Sequence, residues 1–325
     1  MSFMRKIYIF WMERAFGMKE WNFLFKIILY PFSALYIIGG WMRKLFSKKF
    51  HPKHIKIISV GSPFAGGTGK TLFAIFLTEE LLKKGYNAYY LQRAYSFLGF
   101  KNDDEFFEAV DALGGERVRR IKSLKKFLRE EDRKGIPAIF IIDDGFTNPG
   151  LHKDLNIAVF DSQILFGNKK VLPLGPMRVP LKKLKEADLI VLKGEKRYEF
   201  EGIRTINMPL LPQTLIELKT GKTYPPDFIN GKDVMVLCGT GNPFSFINTI
   251  SSLGANPKEV LIFPDHYRYS EKELLKVIEK EMVLTTIKDS KRLPPLPNLF
   301  ALKVQPCIKG ENFKLLMALI SKLWF

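Results

Sequence analysis

The stretch Ile55-Lys56-Ile57-Ile58-Ser59-Val60, followed by Gly61-Ser62-Pro63-Phe64-Ala65 and then Gly66-Gly67-Thr68-Gly69-Lys70-Thr71, decides the fold. Its first part is a short apolar run bounded by glycine and proline, which reads as a buried strand; the apolar-periodic segment Thr71–Leu82 after it reads as a helix. A glycine-rich loop closed by Gly-Lys-Thr between a strand and a helix is a phosphate loop. Its backbone N–H groups point inward at phosphate oxygens, and the helix N-terminus adds its positive end. Gly66, Gly67, Thr68, Gly69, Lys70 and Thr71 are therefore the candidate nucleotide-binding residues. Lys70 reaches the β and γ phosphates of ATP, and the Thr71 hydroxyl ligates Mg²⁺. The usual spacing asks for glycine where this chain has Phe64, so the loop is a variant whose extra glycine stands at Gly66 and Gly67. The bland alternative, a chance glycine turn, does not explain the strand and helix on either side.

Working outward, apolar runs at Ala88–Leu91, Ala138–Ile142, Ile157–Phe160 and Leu189–Leu192 alternate with charged, helix-like stretches such as Arg117–Arg133. That alternation predicts a parallel sheet covered on both faces. Asp143 and Asp144 close one of these runs. A carboxylate at the carboxyl end of a strand beside the phosphate loop is where Mg²⁺ is oriented, so both are candidate metal ligands; Asp-Asp-Gly is also ordinary turn chemistry. A second series begins near Asp233, with strands at Val234–Cys238 and Val260–Phe263 and helices at Phe244–Leu253, Glu271–Glu281 and Phe313–Leu323. The expectation is an α/β protein with a P-loop NTPase-like parallel sheet, a smaller C-terminal α/β domain and an N-terminal membrane-associated helical segment. The expected boundaries are 1–50 for that segment, 51–208 for the P-loop core, 209–231 for a Pro-rich linker and 232–325 for the smaller domain, whose last helix is a candidate to return to the core.

Charge points to an anionic partner. Lys and Arg number 51 against 33 Asp and Glu, a formal charge of +18. From Trp21 to Trp41 the one charged residue is Lys26, aromatics flank the stretch, and Arg43, Lys44, Lys48 and Lys49 follow it. This is the pattern of aromatics at headgroup level and basic residues on anionic lipid. Lys26, Pro31 and Gly39-Gly40 weaken a continuous helix, which favours a peripheral or shallowly inserted element over a span; a helix buried on the domain is the alternative. Nucleic acid is the other reading of the charge, but no basic-aromatic ladder or recognised module supports it. Cys238 and Cys307 are the two cysteines and lie far apart, so neither a disulfide framework nor a zinc site is expected, in keeping with a reducing cytoplasmic setting.

Several motifs in one order resemble the lipid A 4′-kinases, the tetraacyldisaccharide 4′-kinases of Gram-negative bacteria. They are the phosphate loop, Asp143-Asp144-Gly145-Phe146, Phe166-Gly167-Asn168, Leu172-Pro173, Gly175-Pro176-Met177-Arg178-Val179-Pro180-Leu181, Gly239-Thr240-Gly241-Asn242-Pro243, Phe263-Pro264-Asp265-His266-Tyr267 and Thr285-Thr286-Ile287-Lys288-Asp289. The resemblance implies phosphorylation by ATP of the 4′ hydroxyl of a membrane-bound lipid A disaccharide precursor at the cytoplasmic face of the bacterial inner membrane, with no protein partner required. It further implies that Asp104 is the general base, with His266 as its partner, and that Arg178 stabilises phosphate charge. The chain departs from the family pattern at Gln92-Arg93-Ala94-Tyr95-Ser96, at Thr147-Asn148-Pro149 and at Val179, all toward the acceptor side.

Two other classes fit parts of the pattern. A partner-regulated ATPase with a deviant phosphate loop carries lysine directly before the paired glycines, where this chain has Ala65. A lipid-binding relative that has lost turnover would keep the fold and fail to hydrolyse ATP.

Overall fold

A strand covered on both faces must be apolar along its whole length, and Ile55–Gly61 is buried at all but one position. The computed structural model describes residues 3–47, 50–94, 96–97, 100–101, 103–265 and 267–324. The chain divides into two compact units, one of Arg14–Pro209 with Ile308–Phe325, the other of Met1–Glu13 with Leu210–Cys307.

The chain opens with α1 (Phe3–Ala15), all but its last two residues in the other unit, and the first unit then runs through α2 (Phe23–Leu45), β1 (Ile55–Gly61), α3 (Lys70–Lys83) and β2 (Ala88–Arg93). A short hairpin of β3 (Ser96–Phe97) and β4 (Phe100–Lys101) leads to α4 (Asp103–Leu113), β5 (Val118–Ile121), α5 (Leu124–Arg133), β6 (Ala138–Asp143) and β7 (Leu155–Asp161). Strands β8 (Leu189–Lys193) and β9 (Arg204–Met208) complete the sheet. Its order is β5-β2-β6-β1-β7-β8-β9, and every neighbouring pair is parallel. On one face Ile55, Ile57, Leu91, Phe140 and Ile142 pack with Leu124 and Leu128 of α5. Strand order changes direction at β1, which sends the loops after β1 and β6 into one crevice at the carboxyl edge, the place where such sheets bind ligands.

The second unit is built on β10 (Leu210–Glu217), β11 (Thr223–Tyr224), β12 (Asp233–Cys238), α6 (Pro243–Ser252), β13 (Asn256–Ile262), α7 (Glu271–Ile278), β14 (Val283–Thr286), α8 (Ile287–Ser290) and β15 (Leu299–Pro306). Its sheet runs β11-β10-β15-β14-β12-β13, antiparallel at the β11-β10-β15 end and parallel elsewhere. The chain closes with α9 (Gly310–Ser321), which belongs to the first unit.

Three expectations differ from the structure. The stretch Arg117–Arg133 is a strand and a helix, because Val118 and Ile121 bury beside β2 before Ser123 starts α5. The segment 209–231 carries β10 and β11, whose Leu215 is fully buried, where a linker was expected. Helix α2 runs without a break through Pro31 and Gly39-Gly40. One proline removes a single hydrogen-bond donor, which a long apolar helix tolerates. The N-terminal fifty residues also play two roles: Met12, Ala15, Phe16 and Trp21 are buried, whereas α2 exposes Phe23, Leu24, Ile28, Phe32, Leu35, Ile38 and Trp41.

At Gly61 the end of β1 meets the turn after β6 so closely that an added Cβ would lie 2.6 Å from the Phe146 backbone nitrogen. Gly61→Ala is expected to lower stability by about 1–3 kcal/mol through forced backbone shifts. A urea midpoint unchanged from wild type would show that the turn yields freely.

Candidate functional site

The phosphate loop gets its shape from glycines in left-handed backbone. Gly66, Gly67 and Gly69 have φ of 88°, 53° and 84°, and Gly69 sits at the N-cap of α3 without a capping side chain. The helix N-terminus therefore presents its N–H groups uncovered, which fits an anionic ligand. Phe64, in place of the usual glycine, is buried, pairs its backbone with Met177 and packs its ring 5.5 Å from that of Phe16. Its side chain faces away from the cradle, so the substitution costs the loop nothing.

At the end of β6 the two acids separate in role. Asp143 is buried and accepts hydrogen bonds from the Thr71 hydroxyl and the Tyr90 hydroxyl, each at 2.8 Å on Oδ2. Its other oxygen takes the Asp144 backbone N–H at 2.9 Å. Burial raises its pKa, and nearby Lys70 opposes that shift. Asp144 has φ of 57°, a left-handed conformation that costs an L-residue on the order of 1 kcal/mol. That conformation brings both its oxygens to Nη1 of Arg178, at 2.6 and 2.9 Å. Burial acts to raise the Asp144 pKa, but Arg178 and Lys70 together outweigh it and hold the carboxyl below its ordinary value. The structure thus pairs Asp143 with Thr71 and Asp144 with Arg178.

The donor set suits the nucleotide and its metal. A hydroxyl and a carboxylate in contact are the two hard oxygen ligands that a phosphate loop contributes to Mg²⁺, the rest coming from phosphates and water. Among the described residues there is no cluster of three or more His, Cys, Asp or Glu that would hold a metal without a ligand's help.

Asp104 lies half-buried in the first turn of α4. Its neighbour Glu105 is within electrostatic reach of Asp143 and accepts from Gln92 Nε2 at 3.4 Å, so this turn faces the same crevice. Gln92 is buried with its Oε1 lacking a partner, a polar atom aimed where the sequence departs from the family pattern. His266 lies outside the described residues. Around its position in the second unit, Asp289 accepts from Gly239 N–H at 3.0 Å, Thr286 Oγ1 at 2.8 Å, Tyr269 O–H at 3.2 Å and Arg292 Nη2 at 2.8 Å. Lys288 pairs with Asp265 at 2.9 Å. Residues of the later motifs thereby hold Asp265, Tyr267 and Tyr269 by hydrogen bonds and an ion pair.

Sequence reasoning missed Lys193, Asp161 and Tyr90. Lys193, at the end of β8, is buried, pairs with Asp161 at 2.6 Å and donates to the Gly67 carbonyl at 3.0 Å. Its stem also lies where a Cβ on Gly69 would fall, at 2.9 Å from Cδ. Polar residues closing the runs at β7 and β8 were the available signal, since the ends of buried strands are where such groups reach the crevice. Tyr90 was legible only as a strand residue; a fully buried tyrosine needs a partner for its hydroxyl, and Asp143 is that partner.

Residues 25–101 and 116–321 match the family described as LpxK, tetraacyldisaccharide-1-P 4'-kinase. The tetraacyldisaccharide 4'-kinase of Aquifex aeolicus is 31% identical over 322 residues, covering 91% of this chain and 98% of that one. That of Jannaschia sp. is 32% identical over 287 residues, covering 82% and 86%. A crystal structure of LpxK from Aquifex aeolicus in complex with ATP superposes with a TM-score of 0.64 at 29% identity, over 91% of this chain and 98% of that chain.

The Lys193 geometry gives a separable test. Lys193→Met removes the buried ion-pair partner 2.6 Å from Asp161 and should cost about 3 kcal/mol of stability. Adding Asp161→Asn should restore most of that loss. ATP binding by the double variant should still be weaker by about tenfold, the worth of one charge-assisted hydrogen bond to the loop. Calorimetric titration returning wild-type ATP affinity for the double variant would reduce Lys193 to a folding role.

Proposed function

The chain belongs to the tetraacyldisaccharide-1-P 4'-kinase family, and from that membership we propose how its residues move a phosphoryl group from ATP to the 4′ hydroxyl of a membrane-bound acylated glucosamine disaccharide 1-phosphate. The observation that carries the reading is the Thr71–Asp143 contact directly beneath a glycine loop open to phosphate. In this reading the N–H groups of Gly66–Thr71 and the Lys70 ammonium hold the β and γ phosphates. Thr71 and Asp143 hold Mg²⁺, which when bound neutralises phosphate charge. Asp144 keeps Arg178 extended toward the crevice, where the guanidinium meets charge on the transferred group.

The acceptor oxygen forms its bond to the γ phosphorus as the bond from that phosphorus to the bridging oxygen breaks, leaving ADP. The hydroxyl proton passes to the Asp104 carboxylate, the base that the family resemblance implies.

Membrane residence rests on α2. It spans 23 residues, has one buried side chain and, between Lys26 and Arg43, exposes apolar side chains along its length. At 1.5 Å per residue its length is about 35 Å, enough for a hydrocarbon core of roughly 30 Å. A helix that leaves such a run of apolar side chains bare is unstable in water and stable in lipid. Since ATP is cytoplasmic, the P-loop unit works on the cytoplasmic face of the bacterial inner membrane.

Incubation of the protein with ATP, Mg²⁺ and a lipid A disaccharide 1-phosphate precursor should add one phosphate to the lipid, read by mass spectrometry. Lys70→Ala should lower turnover by about a hundredfold or more, the loss of roughly 3 kcal/mol of transition-state stabilisation. Asp104→Asn should lower turnover about 10²- to 10⁴-fold while ATP affinity stays near wild type. More than a tenth of wild-type turnover in Lys70→Ala would refute the phosphate-loop role, and a mild Asp104→Asn defect would move the base to Asp103 or Glu105.

A further inference from the structure

Between α1 and α2 the chain makes a short linker, and against that linker lies the turn Gly167–Lys170. Together they enclose a cleft of about 520 Å³. Its lining cations come from separate segments: Arg14 closes α1, Lys19 is in the linker, Lys26 is in the first turn of α2, and Lys169 and Lys170 come from the turn. Glu20 is the one carboxylate in the lining. Five cations against one carboxylate leave the lining with an excess of positive charge, which favours an anion in the cleft.

The cleft is also built. Asn168 donates from its backbone to Ala15 O at 2.9 Å and from Nδ2 to Arg14 O and Leu174 O at 3.1 and 2.9 Å. Trp21 Nε1 donates to Leu174 O at 2.7 Å, and Ser33 of α2 donates to Val171 O at 3.1 Å. The turn is thereby fastened to both helices, which fixes where its lysines stand. Beyond Lys26 the exposed surface of α2 is apolar until Arg43. A bilayer that takes up α2 therefore brings its phosphate layer to the level of the cleft at the foot of that helix.

We propose that this cleft binds the phosphodiester headgroup of an anionic phospholipid of the surrounding membrane, a lipid distinct from the acceptor. The proposal rests on the membrane reading of α2. Arginine and lysine recognise the phosphate, Trp21 and Tyr30 supply the amphipathic wall that aromatics provide at the headgroup layer, and the acyl chains run beside α2. The strap from Asn168 to Leu174 continues into Arg178, whose N–H is bonded to Pro63 O before the phosphate loop. A headgroup in the cleft therefore braces the segment that carries Arg178.

The test compares the full chain with Lys26→Glu/Lys170→Glu and with Lys122→Glu/Lys126→Glu, a control with the same charge change at exposed positions away from the cleft. Co-sedimentation with phosphatidylglycerol-containing vesicles should fall about tenfold or more for the cleft variant. It should fall far less for the control, and binding to phosphatidylcholine vesicles should be alike for all three. Equal losses in the cleft variant and the control would mean diffuse surface charge and overturn the proposal. Inorganic phosphate at constant ionic strength should leave vesicle binding unchanged; displacement as complete as the cleft substitution would assign the cleft to a free anion and overturn the lipid occupant. Phosphoryl transfer to the acceptor in non-ionic detergent micelles should be the same in all three proteins. Its absence from wild type would count against the kinase mechanism and leave the vesicle result to stand or fall by itself.

Discussion

A carboxylate buried at the end of an apolar strand has to be hydrogen-bonded, and Asp143 is satisfied only by groups from three different elements. Thr71 comes from α3, Tyr90 from β2 and the Asp144 N–H from the turn after β6. Leaving such a group unpaired costs several kcal/mol. The registers β2–β6 and β1–β6 are fixed accordingly: Gln92 and Val60 both stand beside Asp143. Once those registers are set, the phosphate loop leaves β1 beside the acid pair, and the first turn of α4 stands near enough for Glu105 to act on Asp143.

The adjacent Asp144 meets the opposite electrostatic fate, and the difference organises the site. Burial without a full countercharge pushes the Asp143 pKa up, so its anionic form is waiting for a cation. Arg178 already supplies one to Asp144. Under the proposed metal role of Asp143, this pairing keeps the neighbouring carboxylate from competing for the ion. Breaking the Asp144–Arg178 pair would leave two like charges side by side with Lys70 alone to offset them, and a loop in strained backbone with nothing to hold it.

Much of this was legible in the sequence. The strands of the first sheet were readable because doubly covered parallel strands are continuous apolar runs, and β1, β6 and β8 meet their expected limits to within a residue. The phosphate loop and both acids were readable because glycine, lysine and aspartate at strand ends have few other uses. What escaped was of two kinds. Short or edge strands with polar positions, β5 and β10, look like helix or linker because half their residues are wet. Side-chain pairs between distant strands, Lys193 with Asp161 and Tyr90 with Asp143, depend on strand order, and one sequence does not state which runs lie side by side.

The strap between Asn168 and Arg178 explains why a soluble-looking nucleotide site and a lipid-seeking helix are parts of one machine. Helix α2 is held to its own unit at its middle by Ser33, its one buried residue, and at its last turn by Arg43 on Thr147 O and Lys44 on Glu186, while most of its apolar side chains stay exposed. Ser33 is held by backbone atoms of Val171 and Leu174, and the same segment runs on through Met177, paired to Phe64, to Arg178 on Asp144. Backbone hydrogen bonds fix both ends of this eleven-residue strap, Asn168 N–H to Ala15 O and Arg178 N–H to Pro63 O. An acceptor that lies in the bilayer presents its sugar at the headgroup layer. A kinase for it has to hold its phosphate loop at a set height above that layer, and in the proposed reading this strap ties the membrane helix to the arginine assigned to the phosphate.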